Sequence, residues 1–513
     1  MASLCSQCGA PTKAPAVAAE IESLPRHSIL MNTNEHPENH EFVYVHGIVS
    51  KTDERLEYLE DEISRLQERL KVLSEERTSL HEYRRKNARV LSCLRRMPPE
   101  ILCLIFSWTL PSSDDLACWS FRSQVRNSPW TLTWVSRRWR EIALSAPSLW
   151  SLVHVGGGQI SRYRSRSLMI QTQVQRARAL QIHFNGHDTE DPTPQLNLFK
   201  LLSKHSARWE ELSLSLTWAL LPRVEALRDN LPALQRLRLG WYNDSSYSMD
   251  ATLDCFQTAS SLTDVSLSSA FLAGVWFSPQ NHITRYDFDI HRDNHRELLD
   301  SMPHLIEARV KACSGTQIHF YDAALMRELK RLYIELPESL DYFEAPALEE
   351  LAIRAHEGNG RTHQCISDFV KRSSCSIRKL CIKGQIRPEE AVHILLECPS
   401  ITELIFLDGK NFDRYFAMLL SEDTTVAPQL RAIHFGFCVG EIDYELYLQM
   451  LESRRNAPEC ALRSATLLSP SYSPKIAASS SKFDALREGG FQFSLVSGAA
   501  ARGQRESWLY GSL

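Results

Sequence analysis

The sequence predicts an α/β protein in three parts: an N-terminal heptad helix, a small helical module, and an irregular repeat solenoid with a curved parallel sheet inside and helices outside. Three observations carry this. Leucines between residues 56 and 80 fall on alternating three- and four-residue steps. Two short apolar-faced helical segments follow, near residues 100 and 135. From residue 209 an apolar-x-x-apolar-x-apolar triplet keeps returning at intervals of 19 to 29 residues.

At 513 residues the chain exceeds what one hydrophobic core usually supports, and 43% apolar residues suffice to fill several folded units. Lys plus Arg number 58 against 62 for Asp plus Glu, which leaves no global field for steering toward nucleic acid or an anionic membrane. The thirteen cysteines follow no disulfide framework, and the first twenty residues lack a basic start and an unbroken apolar stretch. Reduced thiols and a cytoplasmic or nuclear location are expected. No run of about 18 apolar residues offers a membrane span.

Residues 1–49 mix Pro, Ala, His, Asn and Glu without an apolar period and read as a disordered tail. Within it Cys5, Cys8, His36 and His40 superficially complete a zinc set. Twenty-seven residues separate Cys8 from His36, and Pro37 would disrupt the helix that presents both imidazoles, so no metal is expected.

The heptad helix is assigned to residues 50–92. Leu56, Leu59, Ile63, Leu66, Leu70, Leu73 and Leu80 form its seam, and Arg77, Arg84 and Asn87 weaken it toward the end. Such a stripe serves either coiled-coil self-association or packing against the next domain. Arg84, Arg85, Lys86, Arg89, Arg95 and Arg96 then form a basic run without an acid, readable as a nucleic-acid patch or, more commonly, as a solvated helix face.

The segment 93–155 reads as one small domain. Pro98 and Pro99 suit a first helical turn, and Glu100 complements the positive helix end. Ile101, Leu102, Ile105 and Phe106 recur at helical spacing. Further on come Val135-Ser136-Arg137-Arg138-Trp139-Arg140-Glu141-Ile142-Ala143 and Pro147-Ser148-Leu149-Trp150. Met-Pro-x-Glu-Ile-Leu-x-x-Ile-Phe, a gap, Val-x-Arg-Arg-Trp-Arg-x-Ile-Ala and Pro-x-Leu-Trp, in that order, resemble the F-box in the form common in large fungal sets of these proteins. The resemblance covers Met97 to Trp150. It implies a three-helix module that docks on a Skp-family linker, which in turn binds a cullin scaffold. By position, Met97, Pro98, Ile101, Leu102, Ile105 and Phe106 would form the linker-binding surface, with Val135 and Trp139 supplying the later helix. Burying each such side chain would stabilise the complex by roughly 1.5–3 kcal/mol. The chain departs from the pattern in Met97 for the usual Leu, Ser136 for a frequent Cys, and a lengthened middle at 111–129.

A flexible joint is expected at Gly156-Gly157-Gly158, followed by a repeat region over 160–468. Its triplets open at Trp209, Leu234, Leu262, Ile283, Leu305, Leu329, Leu348, Ile377, Ile401 and Leu430. The nine intervals run 25, 28, 21, 22, 24, 19, 29, 24 and 29, nearly all within the range of leucine-rich repeats. Five starts have proline two residues earlier (Pro232, Pro303, Pro346, Pro399, Pro428), where it ends a helix before a strand. Each unit therefore reads helix, proline turn, strand. The Asn or Cys that usually follows the strand appears only as Cys313 and Cys438, so the solenoid is irregular. Residues 469–513 are expected to give a last cap near Phe491 to Val496 and then a flexible tail. Trp241, Tyr242 and Trp276, after strands, are candidate substrate contacts or packing residues.

No G-x-S-x-G, H-E-x-x-H, phosphate loop or dinucleotide fingerprint is present, so neither catalysis nor a cofactor is expected. The resemblance implies a substrate-recognition adaptor of a Skp-cullin-F-box ubiquitin ligase, with the repeats holding a protein target. Two other functions fit the same residues: a coiled-coil and repeat scaffold outside any ligase, and a nucleic-acid-associated factor using the 84–96 run.

Overall fold

A computed structural model describes residues 26–111, 129–156, 163–241, 252–267, 274–290, 295–312, 323–355, 361–410, 412–420, 426–438, 442–456, 462–469 and 480–510. The chain divides into two compact units, Met1–Leu102 and Cys103–Leu513. The expectations for Cys5, Cys8, Tyr242, Gly157, Gly158 and Cys313 lie outside the described residues.

In the first unit a short helix, His27–Asn32, precedes a 50-residue helix, Asn39–Ala88. A capping box starts the long one. The Glu38 backbone N–H donates to Glu41 Oε2 at 2.9 Å, and the Glu38 carboxylate caps the backbone in return. Residues 39–49, read from composition as tail, are therefore helical: the box satisfies the orphan donors of a first turn, and elongation from it is cheap. At 1.5 Å per residue the helix is about 75 Å long. Its seam is open to solvent, with Leu56, Leu59, Ile63, Leu66, Leu70, Leu73 and Leu80 between 39% and 72% exposed. The six basic residues of the 84–96 run are also exposed. Among the described residues no helix is long and apolar enough to cross a membrane.

The second unit is built on a ladder of strands: β1 (Leu152–Val155), β2 (Leu180–Asn185), β3 (Trp209–Leu216), β4 (Arg236–Trp241), β5 (Thr252–Leu253), β6 (Asp264–Leu267), β7 (Gly274–Val275), β8 (Arg285–Ile290), β9 (Glu307–Ala312), β10 (Ala324–Leu325), β11 (Arg331–Ile334), β12 (Phe343–Glu344), β13 (Glu350–Ala355), β14 (Lys379–Gly384), β15 (Glu403–Leu407), β16 (Ala432–Gly436), β17 (Ser464–Ser469) and β18 (Gln492–Ser497). Fourteen of them form one parallel sheet in chain order, and the short strands β5 with β7 and β10 with β12 pair separately. Strictly sequential parallel pairing is the topology of a solenoid, in which each unit buries its faces only against its neighbours.

All ten triplets become strands of this sheet, and their apolar residues stack into rows. Leu237, Val265, Tyr286, Ala308, Leu332, Leu351, Leu380, Leu404 and Ile433 are all buried, as are the triplet openers from Trp209 to Leu430. Four further strands extend the sheet: β1 and β2 before the first triplet, β17 and β18 after the last. The β2 pattern opens on Ala177 and that of β17 on Leu462, 32 residues after Leu430, so neither matches the strict spacing.

Helices flank the ends of the sheet, for example Thr193–Ser203, Thr362–Ser373, Pro388–Glu397 and Tyr444–Asn456. Between β4 and β13 the described connections are turns, short strands, one 3-10 segment at Pro337–Tyr342 and one six-residue helix, His295–Asp300. Among the described residues there, the helix expected in each unit appears only between β8 and β9, as His295–Asp300. Arginines supply what the missing Asn ladder would. Arg208 donates to the carbonyls of Ala177 at 2.7 Å and Val174 at 3.1 Å, Arg372 to Leu340 at 2.9 Å, and buried Arg454 to Leu419 and Val426 at 2.7 Å each. Each guanidinium satisfies carbonyls left open in the preceding unit.

The opposite face of the sheet carries a row of alternating charge. Register places Glu211, Arg236, Asp264, Arg285, Glu307, Arg331, Glu350, Lys379 and Glu403 side by side on consecutive strands. Arg285 lies 3.8 Å from Asp264 and 3.1 Å from Glu307, whose other oxygen is 2.7 Å from Arg331. Lys379 bridges Glu350 at 3.9 Å and Glu403 at 3.4 Å. Cross-strand pairs of opposite charge contribute roughly 0.2–1 kcal/mol each and like pairs cost similar amounts. Glu307→Lys, which turns two attractions into two repulsions, is expected to lower the unfolding free energy by about 2 kcal/mol, with Glu307→Gln costing about half as much. Urea titrations of the three proteins measure this, and equal midpoints would show the row to be inert.

Candidate functional site

Two surfaces present side chains suited to binding. The first lies on the segment that begins at Met97. Pro98 accepts the Leu102 N–H at 3.1 Å and opens the Pro99–Thr109 helix, as its fixed backbone angle favours. This helix is apolar nearly all round. Leu102 and Phe106 are fully buried, so these two are core residues and not contacts. Ile101, Leu104 and Trp108 are 44%, 56% and 87% exposed and, at helical spacing, share the other face. Ile105 and Met97 are half-buried and Pro98 is exposed. Phe106 packs on Trp139, with ring centroids 4.7 Å apart, which leaves the Trp139 ring half-buried.

Two short helices follow, Pro129–Val135 and Arg137–Ser145, joined at Ser136. Ser136 is the cap of the second: its hydroxyl accepts the Trp139 N–H at 3.2 Å, a role for which serine is better suited than cysteine. Val135 is 59% exposed and its neighbour Trp134 is 67% exposed. The segment ends on Trp150, fully buried, whose indole N–H donates to Ala143 O at 2.7 Å. The lengthened middle, 112–128, lies outside the described residues.

Side chains of the helix before β2 reach Trp130, Trp150 and Leu152. Arg176, from the Tyr163–Arg176 helix, stacks 4.4 Å from the Trp150 ring centroid and 4.9 Å from that of Trp130, and burial lowers its pKa. Gln173 from the same helix donates to Leu152 O at 2.7 Å. Gly156, expected to begin a flexible joint, is buried.

The second surface is the charged face of the sheet. At one end Glu211 is wholly buried, 3.0 Å from Arg236, 3.4 Å from His183 and 4.0 Å from Arg238. Burial alone would raise its pKa, but His183 and the two arginines outweigh that and hold it below the ordinary value. Beside the charged row, two residues further along β11, β13, β14 and β15, Tyr333, Ala352, Cys381 and Ile405 occupy equivalent register positions. The Gly498–Tyr510 helix lies against this apolar stretch. Residues 498–510, expected as flexible tail, are therefore an ordered helix packed on the sheet. Its Ala501 is buried, Trp508 stacks on His434 at 4.7 Å, and Arg505 binds Asp408 at 2.5 Å while sitting over the Phe437 ring. A groove of about 370 Å³ remains beside it, bordered by Arg309, Arg331, Tyr333, Lys379 and Trp508. Burial pushes the Cys381 thiol at its edge up to about 12, so it stays protonated at neutral pH.

Of the aromatic contacts expected from the sequence, Trp241 belongs to the packed face instead: it is 6% exposed and stacks on Trp218 at 4.8 Å. Register explains this, because Trp241 follows Leu237 and Leu239 in the strand's period of two. Trp276 is 36% exposed. Sequence reasoning missed Leu104, Trp108 and Trp134, and also the charged row. The row was readable two residues after each triplet opener, where the residues from 211 to 403 alternate in sign without exception. No protein-family model matches the chain, and no curated protein is significantly similar to it.

His434 makes this face acid-sensitive. Burial first, then the charge of Lys379, pushes its pKa down to about 4, although Glu403 lies 3.6 Å away. A histidine that is neutral when folded and ordinary when unfolded contributes stability above pH 6.5, and that contribution fades as pH falls toward 4. Between those limits the loss is about 3 kcal/mol. His434→Gln is expected to lose correspondingly less on the same acidification, as measured by denaturant titrations at several pH values; parallel pH profiles would refute the assignment.

Proposed function

We propose that this protein is a substrate-recognition adaptor of a Skp-cullin-F-box ubiquitin ligase. The helical module docks a Skp-family linker, and the charged face of the sheet receives a protein target. The observation that carries the reading is the combination, in one small module, of a sealed aromatic core with large apolar side chains left in water. Phe106 and Trp150 are sealed, whereas Leu104, Trp108, Trp134 and Val135, and Ile101 on the same helix as Leu104, remain outside. Aromatic side chains held in solvent on a packed scaffold are characteristic of interface anchors. Ile105 and Trp139, both half-buried, border this surface. The motif order from Met97 to Trp150 supports the same reading, with Leu104 and Trp108 taking the contact role first expected of Leu102 and Phe106.

An adaptor of this kind supplies no chemistry. It raises the local concentration of the target beside a ubiquitin-charged partner. The face from β4 to β11, with arginines, lysines and carboxylates already paired across strands, suits a target by charge pattern more than by apolar area. The exposed Trp276 and the half-buried Trp508 are the aromatic candidates to anchor such a target.

Coexpression with a Skp-family protein tests this directly. The wild-type chain is expected to copurify with the linker. Leu104→Asp combined with Trp108→Asp should abolish recovery while leaving the thermal transition of the repeats in place. Phe106→Ala is the contrasting control: it should destabilise the module by about 3–5 kcal/mol, as truncating a buried phenylalanine does. A wild-type chain that never copurifies, or a double variant that binds unchanged, would overturn the docking surface and leave a repeat scaffold outside any ligase.

A further inference from the structure

The long helix of the first unit carries more than the leucine seam expected from the sequence. Because the helix starts at Asn39, the same heptad register continues upstream through Thr52, Val49, Val45 and Phe42. The seam then has fourteen positions, from Phe42 to Asn87, and Phe42 and Val49 are 60% and 52% exposed like the leucines that follow. The charge along the helix is polarised. Residues 41–62 hold seven acids against two bases, and residues 77–89 hold five bases against one acid.

A partner must cover the apolar seam and also match this polarity. We infer that the partner is a second copy of the same helix, packed antiparallel with its whole length overlapped. In a parallel, in-register pair Arg77 would face Arg77 and Arg84 would face Arg84, with acid beside acid at one end and base beside base at the other. Reversing one copy removes every one of these conflicts. Leu56 then meets Leu73, Leu59 meets Leu70 and Ile63 meets Leu66, so the central layers stay apolar. Arg77 meets Thr52, Arg84 meets Val45 and Asn87 meets Phe42, each basic residue lying in the acidic half of the other copy.

The flanking positions agree with this arrangement. Those nearest in height set Arg55 opposite Glu76, Glu62 opposite Arg69, and Ile48 opposite Tyr83 of the other copy, each pair occurring twice by symmetry. In a single copy Glu62 is turned to Arg65, 2.6 Å away, and Arg55 lies over Tyr58. Both are exposed local contacts of small value, easily exchanged for pairs across an interface. The register that joins the two helix ends also matches apolar to apolar at the centre. A helix built to pack on another part of its own chain has no need of such self-complementarity.

Sedimentation equilibrium on the full chain tests the proposal. The wild-type protein is expected to be a dimer at micromolar concentration, loosening as salt is raised. Arg55→Glu alone should weaken the dimer by about tenfold, since it sets like charges against each other at two symmetry-related places. Arg55→Glu with Glu76→Arg should restore the wild-type constant within about twofold, because each swapped charge meets the other only in the antiparallel pair. In the parallel pair the double swap would set the introduced carboxylate against Glu60 and the introduced guanidinium against His81, and would bind no better than the single variant. A monomeric wild-type chain, or a double swap no tighter than Arg55→Glu, overturns the inference.

Discussion

The repeat unit depends on one constraint: each strand must pair in parallel with its sequence neighbours and with no others. The apolar rows supply the energy, since Leu, Ile and Val at the triplet positions stack into continuous buried ribs. Apolar rows alone do not choose a neighbour, because one leucine fits against another as well as against the next. The charged row makes that choice. Strands two apart carry the same sign at this row, as Glu211 and Asp264 do, or Arg236 and Arg285. Omitting one repeat from the stack would therefore set like against like at the junction.

The same row accounts for the division of labour across the sheet. One face is leucine-rich and packed. The other carries the charged row from Glu211 to Glu403 and, two residues further along β11, β13, β14 and β15, the apolar row Tyr333, Ala352, Cys381 and Ile405, against which the Gly498–Tyr510 helix packs. The buried His434 and the Arg505–Asp408 pair belong to that covering.

Much of this fold was legible in the sequence, and the parts that were not failed for identifiable reasons. Triplet spacing located ten strands because the sheet's period of two and the unit's length both leave marks in sequence. Helix capping leaves a much smaller mark, so the start at Asn39 was hidden in a segment of poor composition and rested on Glu38 and Glu41 alone. In the Pro99–Thr109 helix, periodicity could not choose a side. With apolar residues at 101, 102, 104, 105, 106 and 108, two stripes are available, and it takes the packing of Phe106 on Trp139 to show which of them is buried. For Trp241 the sequence left contact and packing both open, because it ends a strand, where one residue more or less reverses the side chain's direction.

The stacking of Arg176 against both Trp130 and Trp150 bears on how anything held by the sheet would be handled. A guanidinium set against two indoles ties Trp130 and Trp150 to the helix that precedes β2. In an adaptor, that geometry would decide which lysines of the cargo come within range and which are spared. Selectivity would then arise from masonry at the joint as much as from recognition at the face.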